Sequence, residues 1–214
     1  RIAGGGSRFT VGSAMEQLLF TLNLPQWLVE HQRTSQRGFS TVEERMEYVI
    51  ELSRMNYRNG TGGPFAAAVF NMHENTLVAT GVNMVFAGRC SVLHAEVVAL
   101  MIAEQKTGVY DLSAPGLPPY ELVTSTEPCA MCLGAVAWSG IRKLVCGARG
   151  SDAEDAGFDE GDKPAGWPEA LDRRGVTVVC DIRREQAAAV LAAYRSQGGI
   201  IYNPQNRPDT FRVR

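Results

Sequence analysis

The residues best suited to chemistry lie in two short motifs. One is TSTEPCAMC, residues 124–132, in which Cys129 and Cys132 stand three positions apart directly after a proline. This C-x-x-C spacing serves both thiol redox chemistry and zinc binding, so it is ambiguous by itself. The second motif is HAE, which adds His94 upstream. Together, His94, Cys129 and Cys132 predict a zinc site with three nitrogen and sulfur ligands.

A zinc site with three protein ligands leaves a fourth position for water, whose pKa the metal lowers toward ~7. Two thiolates and a neutral imidazole balance the charge of the ion, and helix amino termini favour the thiolate form. Glu96 lies two residues after His94. It is expected to carry the proton from that water to a leaving group without binding the metal. The two motifs therefore predict zinc-dependent hydrolysis.

Two other uses of the cysteines remain open at this point. Purely structural zinc sites use four protein ligands, and Cys90, four residues before His94, would complete such a set. The chain would then be a non-catalytic module stabilised by zinc. A thiol redox site needs neither His94 nor Glu96, and its usual local context differs from the one seen here. Replacing Glu96 separates the hypotheses, because only an enzyme would lose turnover while keeping its metal.

The elements around the motifs alternate between helix and strand. VEERMEYVIELSRMNY, residues 42–57, has the apolar spacing of an amphipathic helix, and PFAAAVFN with TLVATGVN forms a predicted hairpin. Next come HAEVVALMIAEQ (helix), ELVTST (strand), CAMCLGAVAW (helix), RKLVCGA (strand), VTVVCD (strand) and REQAAAVLAAYRSQ (helix). This order predicts an α/β fold with a mixed sheet of about five strands and helices on both faces. Both motifs begin helices, where sites form in such sheets.

The sequence also predicts the structural setting of an acidic segment and of three aromatic or histidine residues. Residues 151–168, SDAEDAGFDEGDKPAGWP, have the composition of an acidic loop, of a length that usually carries function. Trp138 on the cysteine-bearing helix is expected to pack in the core. His31 and His73 lie in polar surroundings without partner motifs, so we assign them no role.

Composition excludes several classes of protein. The 214 residues, 45% of them hydrophobic, fit one globular domain. With 21 Lys and Arg against 23 Asp and Glu and a net charge of −2, no broad basic face for nucleic acid is expected. Five cysteines, an odd number, argue against a disulfide framework and favour a reducing cytoplasm. No apolar run reaches the length of a bilayer crossing, so no membrane partner is expected.

Three segments are expected along the chain. Residues 1–14 precede the first methionine, Met15, and are expected to be a non-native remnant outside the fold. Residues 15–40 form an N-terminal extension. Residues 41–214 form the zinc-dependent domain and end in a polar C-terminal tail.

HAE followed by PCAMC matches the H-x-E…P-C-x-x-C signature of zinc-dependent nucleobase deaminases. From about Tyr48 to Asp181 the chain resembles the cytidine deaminase-like superfamily. Its layout is similar to the guanine deaminase branch, which includes related bacterial enzymes that accept aminotriazines such as ammeline. The resemblance implies a three-layer α/β/α cytidine deaminase-like fold and one zinc ion per chain, held by His94, Cys129 and Cys132. It also implies that Glu96 is the proton shuttle.

The resemblance further implies residues that bind the substrate. Asn83 in GVNMV is similar to the asparagine that hydrogen-bonds the base. In GFDEG, Phe158 is expected to stack on the purine, and Asp159 or Glu160 to meet its N–H edge. Glu160 is also expected to be a second proton carrier for the departing amine. Tyr202 in IIYNPQ resembles the aromatic residue of a C-terminal segment that closes the active site of a neighbouring subunit.

Guanine hydrolysis to xanthine and ammonia is the activity that this resemblance implies, in a homodimer whose C-terminal tails exchange. An ordinary ordered tail, with Tyr202 in the core, is the alternative. Aminotriazines, pterin-like amines and cytosine are alternative substrates for the same chemistry. A tRNA adenosine deaminase shares both motifs, but holding RNA phosphates requires clustered Lys and Arg that we do not see in this sequence.

Overall fold

The structure is a computed structural model that describes residues 21–34 and 38–201. The predictions on residues 1–14, on Tyr202 and on exchange of the C-terminal tail concern residues outside these ranges, and they stay predictions. Among the described residues, no helix is both long enough and apolar enough to cross a membrane.

A mixed sheet of five strands lies at the centre of the described fold, as the sequence predicted. Its strands are β1 (Ala66–Asn71), β2 (Thr76–Val82), β3 (Tyr120–Thr126), β4 (Lys143–Ala148) and β5 (Thr177–Val179). Their order is β2-β1-β3-β4-β5. Strand β1 pairs antiparallel with β2 and β3, whereas β3, β4 and β5 run parallel. Because β3 and β4 end at the same edge, residues that follow them can meet there.

Helices cover both faces of the sheet. In the described ranges they are α1 (Gln26–Thr34), α2 (Val42–Arg58), α3 (Ala95–Thr107), α4 (Ala130–Ser139), α5 (Gly150–Ala156), α6 (Trp167–Asp172) and α7 (Arg184–Ser196). Apolar side chains of α2, α5 and α7 form one core, and those of α4, α6 and most of α3 form a second core on the opposite face. The predicted three-layer α/β/α architecture is confirmed.

Strand β1 is buried on both faces, which explains why its sequence is apolar throughout. Ala66, Ala68 and Phe70 belong to the core under α2, whereas Ala67 and Val69 belong to the core under α3. Side chains alternate between the two faces of a strand, so a strand covered on both sides needs an apolar residue at every position. The run AAAVF meets this requirement with small residues that admit close helix packing.

The prediction of one acidic loop over residues 151–168 is wrong at both ends. Helix α5 occupies Gly150–Ala156, and α6 begins at Trp167. Asp152 accepts a hydrogen bond from the backbone N–H of Arg149 (2.8 Å) and two from the Arg184 guanidinium (2.8 and 2.9 Å). An acidic residue in the first turn stabilises a helix, and the partner on α7 is brought there only by the fold. The middle of the segment remains a loop.

Helix α3 packs directly against β2 at Gly81. A Cβ added at Gly81 would lie 2.2 Å from the carbonyl oxygen of Ala95 and 2.4 Å from the amide nitrogen of Ala99. No side chain fits at such distances, so this packing requires glycine. The contact fixes the first turn of α3 against the sheet, and His94 is the residue that immediately precedes that turn.

The described part of the predicted N-terminal extension packs on the domain. Leu28 of α1 is fully buried and belongs to the same core as α2. Trp27 donates from Nε1 to the hydroxyl of Thr61 over 3.0 Å. The His31 ring stacks on that of Tyr48, with ring centroids 5.5 Å apart. These contacts join α1 to α2 and to the turn that follows it, while the domain boundary at residue 41 stays a prediction.

A buried ion cluster connects α2 to the amino-terminal end of β3. Nε of Arg45 lies 2.5 Å from one carboxylate oxygen of Glu121, and the Lys143 ammonium lies 3.4 Å from the other. Arg45 also donates to the carbonyl of Phe39 (2.7 Å) and to the side-chain oxygen of Asn75 (3.2 Å). The side chains of Arg45 and Glu121 are only 10% and 2% exposed, so each charge depends on its partner rather than on water.

We expect Arg45→Met to lower the free energy of unfolding by about 3 kcal/mol, because Glu121 would stay buried with only Lys143 to compensate it. Equilibrium unfolding in urea measures this difference. The double variant Arg45→Met, Glu121→Leu is expected to recover most of the loss, since it removes both buried charges. A loss below about 1 kcal/mol in the single variant would place the pair with ordinary surface ion pairs and contradict this account.

Candidate active site

His94 stands at the amino terminus of α3, as predicted. It is the N-cap residue, with extended backbone angles of φ −71° and ψ 157°, and its amide donates to the carbonyl of Val92 over 2.8 Å. The preceding residue, Leu93, is buried, and its carbonyl accepts a 2.9 Å hydrogen bond from the Met84 amide. The backbone before the imidazole is therefore tied to the segment that leaves β2.

Cys129 and Cys132 take the equivalent place after β3. The amide of Glu127, just beyond the strand, donates to the carbonyl of Ala148 at the end of β4 (2.8 Å). Pro128 follows, a residue suited to a helix entrance because its missing N–H costs little there. Cys129 is the N-cap residue of α4, and Cys132 lies in the first turn. Both motifs thus begin helices at strand ends, as the sequence indicated.

The three predicted ligands form a compact group. Nδ1 of His94 lies 3.5 Å from Sγ of Cys129 and 3.6 Å from Sγ of Cys132. A tetrahedral zinc ion with ordinary Zn–N and Zn–S bond lengths separates such atoms by about 3.6 Å, so the residues fit zinc. Among the described residues this is the group able to hold a metal, and Cys90 is not part of it. Cys90 instead packs against the hydrophobic core, which removes the basis for a four-ligand structural site.

The two thiols of the pair differ in pKa, and the hydrogen bond to Cys129, followed by burial, raises the pKa of Cys132. The hydrogen bond from the Cys132 thiol lowers the pKa of Cys129 to about 4, with burial opposing the shift and His94 adding to it. Thiolate is the form that binds zinc. The pKa of Cys129 is therefore shifted toward the form that binds zinc.

Glu96 lies beside this group without belonging to it. It is in the first turn of α3, its residue is only 7% exposed, and Oε2 lies 3.5 Å from Sγ of Cys132. Burial, followed by the negative charge of Cys129, raises the pKa of the Glu96 carboxyl above its usual value. A carboxyl group whose pKa is raised accepts a proton more readily than an ordinary carboxylate does.

A pocket of about 420 Å³ opens onto the cluster. This volume accommodates a single small molecule. Its walls include His94, Glu96 and Cys129 together with four residues predicted from the sequence to meet the substrate. These are Asn83, Phe158, Asp159 and Glu160. The fold therefore brings the metal-ligating and the substrate-binding predictions into one cavity.

Asn83 is positioned by backbone groups on both sides. It is 9% exposed, its amide donates to the carbonyl of Phe65 (3.0 Å), and its carbonyl accepts from the side-chain nitrogen of Asn56 (2.9 Å). Its side-chain oxygen accepts two long hydrogen bonds of 3.4 Å, from the amides of Gly63 and Val85. The side chain is held at the wall of the pocket rather than in an exposed turn.

The three predicted residues of the acidic segment differ in exposure. Phe158 packs edge-on against Phe65, with centroids 4.7 Å apart, and stacks on Tyr194 at 6.0 Å. Asp159 is exposed, and its carboxylate accepts the amide of Gly161 (2.9 Å), so it stabilises its own turn. Glu160 is buried, and burial followed by the charge of Cys129 raises its pKa to about 8. Of the two carboxylates, Glu160 is the one withdrawn from water.

Sequence reasoning missed some residues and misplaced another. Glu127 lines the pocket, and its position two residues before Cys129 was the available signal. Phe86 and Met131 also line it, but no pattern distinguished them from other apolar residues. The expectation that Trp138 packs in the core is wrong, because its residue is 82% exposed. Helix α4 buries its other face, so an apolar residue on this side meets solvent in the described chain.

A three-layer α/β/α fold with a His-Cys-Cys group and a buried glutamate at two helix starts defines a zinc-dependent deaminase. Residues 40–148 match the protein family described as "Cytidine and deoxycytidylate deaminase zinc-binding region", and the chain belongs to this family.

Relatives with solved structures cover most of the chain. A guanine deaminase from Nitrosomonas europaea is 48% identical, with a TM-score of 0.80, over 86% of this chain and 100% of that one. A structure of NE0047 in complex with 2,6-diaminopurine is 48% identical, with a TM-score of 0.81, over 88% and 98%. The guanine deaminase of Bacillus subtilis is 34% identical over 129 residues, which are 58% of this chain and 78% of that protein.

Proposed function

We propose that the protein is a guanine deaminase, which hydrolyses the free base to xanthine and ammonia. The observation that carries the proposal is the joining, in one pocket, of a metal-ligating group with a buried carboxyl and an orienting amide. The 48% identity to a guanine deaminase along nearly the whole chain supports guanine as the substrate. The homologue crystallised with 2,6-diaminopurine also supports a purine-sized ligand.

His94, Cys129 and Cys132 would hold one zinc ion per chain, in the geometry that their 3.5 and 3.6 Å separations fit. Zinc supplies an activated water at neutral pH for attack on carbon. The protein's own residues supply orientation and proton transfer. Because the three ligands come from two helix starts that are fixed to the sheet, the cluster is rigid before the substrate enters.

Glu96 is the residue that we propose to move the proton. Its carboxyl lies beside Cys132 and faces the same pocket, so it can take a proton from the attacking water and deliver it to the purine ring. Its raised pKa makes the uptake of a proton from water less unfavourable than it would be for an ordinary surface carboxylate.

Asn83 and Phe158 are proposed to orient the base. The side-chain oxygen of Asn83 is held by two backbone amides, which leaves its nitrogen to donate to a ring acceptor of the base. Phe158 is proposed to present its ring to the purine, supported from behind by Phe65 and Tyr194. Glu160 is proposed to meet the N–H edge and to protonate the leaving amine, since it is buried, whereas Asp159, which also lines the pocket, is exposed.

The proposed assembly is a homodimer, which follows from the family resemblance. Closure of the pocket by Tyr202 of a neighbouring subunit is part of the same proposal, and that residue lies outside the described ranges. Aminotriazines, pterin-like amines and cytosine are the alternative substrates, because the same zinc group and carboxyl would act on an amidine carbon in any of them.

Ammonia release tests the proposal directly. The zinc-loaded protein is incubated with guanine, and xanthine formation is followed in parallel. We expect turnover of guanine and far slower turnover of guanosine, because a pocket built to hydrogen-bond the ring edge rejects a ligand that leaves its polar groups unpaired. Absence of ammonia from guanine, with zinc bound, would discard this substrate. Ammeline and cytosine would then be assayed in the same way.

We expect Asn83→Ala to lower kcat/KM for guanine by about a hundredfold, mainly through KM, because a buried hydrogen-bonding group of the base would lose its partner. Steady-state kinetics measure the effect. Asn59→Ala is the matched control, since Asn59 is exposed and its side chain bonds only to the carbonyl of Met55 among the described residues. Equal kinetics in the two variants would show that Asn83 does not contribute to substrate binding.

A further inference from the structure

The loop formed by residues 157–163 presents Phe158, Asp159 and Glu160 to the pocket. It leaves α5 at Gly157, where the backbone takes a left-handed turn with φ of 102°. The amide of Phe158 then bonds the carbonyl of Ala153 (3.0 Å). This contact fixes where the loop begins, but the position of Glu160 depends on what holds the middle and the far end.

The middle of the 157–163 loop is attached to the helix that carries the cysteines. The carbonyl of Glu160 accepts a 2.9 Å hydrogen bond from the amide of Ala130, the first residue of α4. A Cβ at Gly161 would lie 3.2 Å from Cβ of Ala130, so the two backbones are in close contact. The loop therefore rests on the first turn of α4, immediately beside Cys129.

The far end of the loop is held by an ion pair. Nζ of Lys163 lies 3.0 Å from Oε2 of Glu127, and each side chain is only 14% exposed. The same oxygen accepts the amide of Gly150 at 3.0 Å, and the Lys163 ammonium lies 5.4 Å from the centre of the Trp167 ring. The Glu127 carboxylate thus joins three segments: the entrance to α4, the start of α5 and the end of the loop.

This ion pair differs from those on the surface of the protein. The pair between Arg149 and Asp181 has side chains that are 49% and 40% exposed, and such exposed pairs contribute little. The Lys163–Glu127 pair is largely withdrawn from water and is packed so closely that a Cβ at Gly150 would lie 2.7 Å from Nζ of Lys163. Removing one member would leave the other poorly solvated, which favours release of the loop.

Glu160 is the residue whose position would change most if the loop were released. Its side chain is buried, and Oε2 has no hydrogen-bond partner among the described residues. No hydrogen bond to that oxygen holds it in place, so the location of the carboxyl depends strongly on the backbone of the loop. A carboxyl group that acts on a ligand must be held within a fraction of an ångström of its working position.

We propose that Lys163 is a positioning residue: by pairing with Glu127 it holds the 157–163 loop against α4 and so places Glu160 at the substrate. The proposal rests on the function proposed above. Lys163 is not one of the residues that line the pocket, although its partner Glu127 is, and the role proposed for it is to hold the loop rather than to contact the ligand.

Lys163→Met tests the proposal, because methionine keeps an apolar stem over Trp167 and removes the charge. We expect kcat for guanine to fall by up to about a hundredfold, with zinc content unchanged. Hydrogen exchange at the amide of Ala130, whose acceptor is the Glu160 carbonyl, is expected to become faster. Lys106→Met is the matched control. Lys106 is exposed on α3, and among the described residues its side chain donates only to the carbonyl of Val78, so neither kcat nor the exchange rate should change.

A double-mutant cycle with Glu160→Gln shows whether Lys163 acts through Glu160. In the Glu160→Gln background, Lys163→Met is expected to have little further effect on kcat. An equal fall in both backgrounds would overturn the proposal, and so would a kcat of Lys163→Met within twofold of the unaltered protein. If the unaltered protein does not act on guanine, the proposed function fails separately. Unchanged exchange at Ala130 in Lys163→Met would then still overturn the positioning role.

Discussion

Glu96→Gln is expected to remove nearly all turnover of guanine while leaving zinc in place. General acid–base catalysis by a single side chain contributes up to about ten-thousandfold, and a fall of about a thousandfold or more in kcat is expected here. The amide is nearly the same shape as the carboxyl, so the packing around the first turn of α3 is preserved. What is lost is the ability to hold and release a proton next to Cys132.

Two measurements make this prediction specific. Metal analysis should find the same zinc content in Glu96→Gln as in the unaltered protein, because Glu96 lies outside the His-Cys-Cys group. The control is Glu104→Gln on the same helix, whose carboxyl does not line the pocket and whose loss should leave kcat unchanged. Loss of zinc in Glu96→Gln would make Glu96 a ligand, and retention of more than about a tenth of the activity would remove it as the proton carrier.

The second large effect is expected from Cys132→Ser, which should abolish both zinc binding and turnover. A serine hydroxyl is not among the ligands that protein zinc sites use, and its shorter side chain would also disturb the 3.6 Å contact with His94. Zinc per chain after dialysis against a chelator, followed by addition of zinc, measures the defect. The unaltered protein should recover metal and activity together, whereas Cys132→Ser should recover neither.

Cys90→Ala is the matched control for this experiment. Cys90 is also a free thiol, and the alternative of a purely structural site would make it the fourth ligand. Because it lies outside the metal-ligating group, we expect Cys90→Ala to retain zinc and turnover. Loss of zinc in this variant would restore the four-ligand hypothesis and contradict a catalytic site with an open position.

Much of the fold followed from the sequence because it depends on local patterns. The apolar spacing in residues 42–57 predicted a helix, and the structure places α2 over Val42–Arg58. The alternation of apolar runs and helical segments predicted the mixed five-stranded sheet. These signals survive without tertiary information, since a helix or a strand must repeat its apolar residues with the period of its own geometry.

The metal-ligating set followed from the sequence for a different reason. Zinc accepts few side-chain types, so a histidine and a cysteine pair near helix starts leave few alternatives. The Nδ1 and Sγ atoms of His94, Cys129 and Cys132 do meet in the structure. What the sequence left open was whether Cys90 joined them. That depended on the path of the segment before α3, which no local pattern encodes.

Only the tertiary structure decided the remaining features, because each arises between residues far apart in the chain. Trp138 is a large apolar residue of the kind usually found in a core, but it is exposed. Which face of α4 meets the sheet is set by the neighbouring elements. Asp159 and Glu160 are adjacent and chemically alike, yet in the folded chain Asp159 is exposed and Glu160 is buried. Likewise, the pairing of Lys163 with Glu127 across 36 positions of sequence has no periodic signal.

The sequence by itself determined which residues can bind zinc and which elements carry them, since both are local properties. The placing of charges and rings around the pocket was decided by packing, a property of the whole chain.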